Sequence, residues 1–216
     1  MKNIIAISSV LMLALSTIGY AGEAQPDSSR LVKVNKGAFK DTWVNPDVEL
    51  GKFDKIMIVG SDFEFREVKK SPRMSGSYKH NQSDFWVDEK DRLRAQEVIS
   101  SGFGERMSKS FEIVDEAGPG VLVVHGRLSD IVSNVPPNMV GSGRNYISKI
   151  GAATIELEAR DSLSGEIVFQ ASERSEIEPR GRRMMESNSV LVNAELRRWS
   201  QRVASKLVKG LESVNS

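Results

Sequence analysis

Apolar positions change their spacing several times along this chain, and each change marks an expected element. After Lys2 they run almost unbroken from Ile4 to Ile18 and end at Gly19, Tyr20 and Ala21. The run is shorter than the roughly 20 residues a membrane span needs, and small residues follow it, so it reads as a secretory signal peptide over residues 1–21. Cleavage is expected after Ala21, with Ala24 as the second choice. Residues 22–40 are polar with scattered apolar positions and no period, which predicts a loose N-terminal arm. A single domain is expected over residues 41–216.

Within that domain, Lys55 to Val59 is a short apolar run followed by the alternation Phe63-Glu64-Phe65, the pattern of a strand that leaves the core. Ala95, Ile99, Phe103 and Met107 stand four apart after Asp88, with Asp91 as a second possible cap, which predicts an amphipathic helix. Gly102 and Gly104 weaken such a helix by about 1 kcal/mol each, so close packing against a sheet is expected there. Phe111 to Val114 reads as a short strand. Three longer strands follow, Val121 to Ser133, Gly151 to Ser162 and Glu166 to Ile177. One face carries Leu122, Val124, Leu128, Ala153, Ile155, Leu157, Ala159, Ile167, Phe169 and Ala171. The other is assigned Arg127, Glu156, Glu158, Arg160, Glu173 and Arg174, so one side is covered and the other wet. Ser164-Gly165 predicts a hairpin between the last two strands. From Ser189 to Val214, Val192, Leu196, Trp199, Val203, Leu207 and Leu211 form one helical stripe. The expected fold is α+β: a two-layer sandwich with a mixed, mostly antiparallel sheet of about five strands and two amphipathic helices on one face.

Charge and composition narrow the function classes. The chain has 30 Lys+Arg against 29 Asp+Glu, and loss of Lys2 with the leader balances them. No basic excess supports nucleic-acid binding. With no cysteine, disulfides, thiolate chemistry and a lipid-bearing N-terminal cysteine are all ruled out as expectations. The expected location is therefore the periplasm, as a soluble protein with no transmembrane segment in the mature chain, which is compatible with peripheral association with the outer membrane.

Several of these segments together resemble the bacterial family called domain of unknown function 3313. They are Trp43-Val44-Asn45-Pro46 with Leu50 and Phe53 to Ile58, Gly120-Val121-Leu122 ahead of Gly126 to Asp130, Ile155 to Glu166 with its Asp161-Ser162-Leu163-Ser164-Gly165-Glu166 ending, and Trp199. The resemblance covers nearly the whole mature domain. It implies a small exported protein of Gram-negative bacteria, most members being lipoproteins, with no assigned activity and no catalytic residues to carry over. This chain departs from that pattern in lacking the lipid-bearing cysteine.

Candidate chemistry is sparse. His80 and His125 are the two histidines, fewer than a zinc site usually uses without carboxylate help. Serine is abundant, yet no Gly-x-Ser-x-Gly elbow, Ser-x-x-Lys pair or phosphate loop singles out a residue. Glu156, Glu158 and Asp161 read either as carboxylates for acid-base chemistry, since Glu156 and Glu158 share one side of a strand, or as ordinary cross-strand charge pairs. No cofactor or metal is expected. Arg180, Arg182 and Arg183 form either a solvated loop or a grip for an anionic envelope component. Phe85 and Trp86 are either an exposed aromatic anchor for a partner or a staple onto the following helix. The long polar stretches 66–84 and 134–149 are the expected partner-facing surface. These features predict a non-enzymatic exported binding or accessory protein of the cell envelope, contacting an envelope protein or an anionic component. The alternative is a periplasmic hydrolase with an unmarked serine or carboxylate site.

Overall fold

The computed structural model describes residues 28–35, 37–68, 84–136 and 144–213. Among the described residues the strands are β1 (Val32–Lys33), β2 (Asp41–Val44), β3 (Lys55–Phe65), β4 (Glu112–Ile113), β5 (Val121–Ser133), β6 (Tyr146–Ile147), β7 (Gly151–Asp161), β8 (Ile167–Ile177) and β9 (Met185–Glu186). The helices are α1 (Glu89–Met107) and α2 (Ser189–Ser213). Seven strands form one sheet in the order β1-β2-β8-β7-β5-β3-β4, and β6 pairs with β9 separately. The α+β sandwich is as expected, with more strands than the expected five. β3 runs parallel to β4 and β5, and the other pairs are antiparallel.

Alternation along β7 explains its central place. Ala153, Ile155, Leu157 and Ala159 are buried beneath the helices, while Glu156 is exposed on the open face. The tight turn after β7 lets β8 return beside it, with Gly165 at a φ of 70° that a Cβ would strain. On α2, Leu196, Trp199, Val203, Leu207 and Leu211 are buried and Val192 is half-buried. Trp199 also donates its indole N–H to Ser175 Oγ at 3.0 Å, so this core side chain leaves no polar atom unpaired. Asp88 caps α1 by accepting the Asp91 N–H at 2.8 Å.

Four expectations need correction. Residues 28–35 and 37–40 carry structure: β1 pairs with β2, and Phe39 is buried in the core. Glu173 lies on the helix side of β8, where Lys206 of α2 holds both its oxygens at 2.6 and 2.7 Å. Its parity with Ile167, Phe169 and Ala171 puts it there, and the ion pair makes the position tolerable. Gly102 packs against α2 rather than the sheet, and an added Cβ at Gly104 would meet nothing within 4 Å. The α1 face is also wider than expected: Val98 and Gly102 are buried beside Met107, while Ala95, Ile99 and Phe103 are half-buried against the core.

Contacts between the helices fix their direction. Gly102 approaches Ser200 and Arg197, and Arg106 donates to Ser205 Oγ at 2.9 Å. Because these positions rise together, α1 and α2 run the same way, with both N-termini at one end of the layer.

Candidate functional site

At that N-terminal end the helices part over a cavity of about 330 Å³. Its floor comes from the sheet: Leu128 and Val132 of β5, Ala153 of β7 and Ile177 of β8, with Ile150 ahead of β7. Ala95 and Ile99 of α1 form one wall, and Val192, Leu196 and Trp199 of α2 the other. Trp86, Val135 and Pro136 complete it, and the polar groups reaching it include Asp88, Asp91, Arg94, Ser187, Ser189 and Asn193. The exposed ones among these, Asp88, Asp91, Arg94 and Ser189, form the rim, so the interior is apolar and the entrance polar. Such a space can hold a small apolar or amphipathic molecule. No histidine lines it among the described residues. Nothing in the sequence pattern marks this cavity.

The open sheet face is built differently. Arg127 reaches Glu64 at 2.9 Å and Glu156 at 3.9 Å. Glu158 accepts from Arg160 at 2.5 Å and from Gln170 at 2.9 Å. Glu156 and Glu158 are thus members of charge and hydrogen-bond pairs on a wet face. His125 shares this face, 3.4 Å from Asp62, and no hydrogen bond joins it to a serine among the described residues. His80 lies outside the described residues. No group of three or more potential metal ligands occurs among the described residues.

At the edge of this face Asp130 adopts a φ of 49° beside a register shift in β5. Arg66 holds it at 2.6 and 2.8 Å, Arg174 at 2.8 Å, and Arg66 also bonds Asp84 at 2.7 Å. Hydrogen bonding from Arg66 outweighs the opposing effect of burial and keeps the Asp130 carboxyl below its ordinary value. Arg66 and Asp84 thereby join the two ends of the segment 67–83. Much of the expected partner-facing surface, residues 69–83 and 137–143, lies outside the described residues.

The remaining sequence candidates fall in separate places. Phe85 is half-buried, with its N–H bonded to Ser133 O at 2.7 Å, and half-buried Trp86 lines the cavity. Arg180 and Arg183 are exposed around a short turn in which Gly181 has a φ of 75°. The Arg182 side chain is not described.

Two of the segments that carry the family resemblance, around Asn45 and from Asp161 to Glu166, meet in a structural staple. Buried Asn45 donates to Glu166 at 2.9 Å and accepts the Asp47 N–H at 3.0 Å. Asp161 accepts the Leu163 and Ser164 N–H groups and pairs with Lys52 at 3.0 Å. Burial works against its charge, but these donors together hold its carboxyl below the ordinary value. The staple ties β2 to the β7–β8 turn. A family described as protein of unknown function, DUF3313, matches residues 24–203. The chain belongs to that family.

No curated protein matches the chain. Among solved structures, a variant of the PelC dodecamer from Paraburkholderia phytofirmans is 11% identical, with 74% of this chain and 87% of that chain covered and a TM-score of 0.33. Protein XCC0632 from Xanthomonas campestris is 14% identical over 73% and 82%, with a TM-score of 0.35. Lipoprotein GNA1162 from Neisseria meningitidis is 10% identical over 70% and 99%, with a TM-score of 0.30. At these scores the likenesses carry no argument about function. No helix among the described residues is long and apolar enough to cross a membrane.

Proposed function

We propose that this family member is a non-enzymatic binding protein of the bacterial cell envelope, exported by its N-terminal leader, that holds a small apolar or amphipathic molecule between its helices and sheet. The cavity carries this reading. Its volume of about 330 Å³ lies at the lower end of ligand-binding cavities, which begin near 300 Å³. Apolar walls attract hydrocarbon or aromatic surface, and the polar rim leaves a ligand's polar end in contact with water. Export is supported by the apolar run from Ile4 to Ile18 and the small residues before the expected cut.

An anilinonaphthalene sulfonate dye tests the binding reading, because Trp86 and Trp199 line the cavity and can transfer excitation energy to a dye inside it. The expected result is saturable transfer that is lost when Ala153→Phe or Val192→Phe fills the space. Transfer that survives in both folded variants, or no transfer to the unsubstituted chain, would sink the proposal.

A further inference from the structure

The small β6–β9 sheet presents an apolar surface to solvent beside arginines that have no acidic partner among the described residues. Tyr146 faces Glu186 across the pair, and Ile147 faces Met185. Ile147 is 8% exposed and Met185 packs against the core, which turns Tyr146, on the opposite face, outward. Tyr146 is 53% exposed and Met184 67%. Ser187 N–H bonds Asn145 O at 2.9 Å, and the chain then enters the first turn of α2, where Val190 is 75% exposed and Leu191 is also exposed.

Arginines border this surface just ahead of both strands. Arg144 precedes Tyr146 by two positions, Arg183 adjoins Met184, and Arg180 lies in the preceding turn; all three are exposed. Among the described residues, no carboxylate lies within ion-pair distance of them. Arg66, Arg127, Arg174 and Arg197 elsewhere on the surface each have an acidic partner. The nearby acids are Glu186, half-buried opposite Tyr146, and Glu178, which is itself partnered.

We propose that this face docks on an anionic phospholipid surface, with Tyr146, Met184, Val190 and Leu191 entering the headgroup boundary and Arg144, Arg180 and Arg183 contacting lipid phosphates. Arginines without acidic partners complement anionic headgroups, and phosphate accepts their paired N–H donors. Exposed tyrosine and aliphatic side chains gain burial at the interface, which a soluble anion does not offer. The inference is independent of what occupies the cavity.

Flotation with vesicles tests it. The chain from Gly22 is used, since it retains every described element and omits the apolar leader. It should float with phosphatidylethanolamine–phosphatidylglycerol vesicles and much less with phosphatidylcholine vesicles, and added salt should weaken the association. The R144S/R180S/R183S variant should partition on the order of 100-fold less, following from about 1 kcal/mol per basic side chain at an anionic surface. The Y146S/M184S variant should lose the binding that persists at high salt, while R202S/K209S, on the distal part of α2, should bind as the unsubstituted chain does. Equal unfolding transitions establish that the variants remain folded. Equal binding to both vesicle types, no binding, or the same loss in R202S/K209S would overturn the proposal. Binding to soluble polyglutamate but not to vesicles would make the patch a protein site and would overturn it too.

Discussion

At Gly102 of α1 and the middle of α2, the helices pack so closely that a Cβ at Gly102 would meet Ser200 Oγ at 2.3 Å and the Arg197 carbonyl at 3.0 Å. Toward their N-termini, the same helices part over a cavity of about 330 Å³. Small residues produce the first arrangement: Gly102 faces Ser200, and Arg106 is held by Ser205. The second has larger side chains, Trp86, Ile99, Leu196 and Trp199, lining a space that they do not fill. A void beside so close a contact is held open by defined walls, since the closed end fixes both helices on the sheet.

Trp199 stands between the two regimes, buried in the core and lining the cavity. Trp199→Ala should cost about 3–5 kcal/mol, because it removes a large buried side chain and leaves the Ser175 hydroxyl without its donor. Denaturant unfolding measures it, and a loss below about 1 kcal/mol would mean that this wall is already loose. Gly102→Ala comes next. Its helix-propensity gain of about 1 kcal/mol should be exceeded by crowding against the Arg197 backbone, leaving a net loss within the roughly 1–3 kcal/mol typical of overpacking. Gly104→Ala should instead stabilise by up to about 1 kcal/mol, since the added methyl enters open space. Two alanine substitutions of the same sign, read from melting curves, would contradict the contrast between these neighbouring positions.

Features that repeat along a segment were legible. The alternating apolar residues of β7, the stripe of α2 spaced by three and four, the Asp88 cap and the Ser164-Gly165 turn each follow from local chemistry, and the segments resembling the family led to its match. Features created by the meeting of distant segments were not. β1, β6 and β9 have two residues each, too few to show a period. Glu173 invited a solvent-facing assignment through its charge, although its strand parity agrees with Phe169 and Ala171. Its cover, Lys206, lies 33 residues away in sequence. A cavity is space that side chains leave unfilled, so no pattern of apolar residues announces it. Trp86 and Trp199 stand out in the sequence and line it, but their pattern there points to a staple and to core packing rather than to a ligand contact.

The charged edge of the sheet should respond to pH. Arg66 keeps the Asp130 carboxyl below its ordinary value despite the contrary effect of burial, so the folded state favours the ionised form. The stabilisation is present above the unfolded-chain value of about 3.9 and is lost as pH falls through the lower folded value. Asp130→Asn removes the charge but retains a residue type that tolerates the left-handed φ of 49°. Because the site is largely open to solvent, the melting temperature should fall by no more than about 2 °C near neutral pH, the smallest effect in the series. That difference should close as the pH drops through the acid range, where the native carboxylate is also neutral. A difference that persists unchanged at acid pH would mean that Asp130 stabilises the bulge through its shape rather than through its charge.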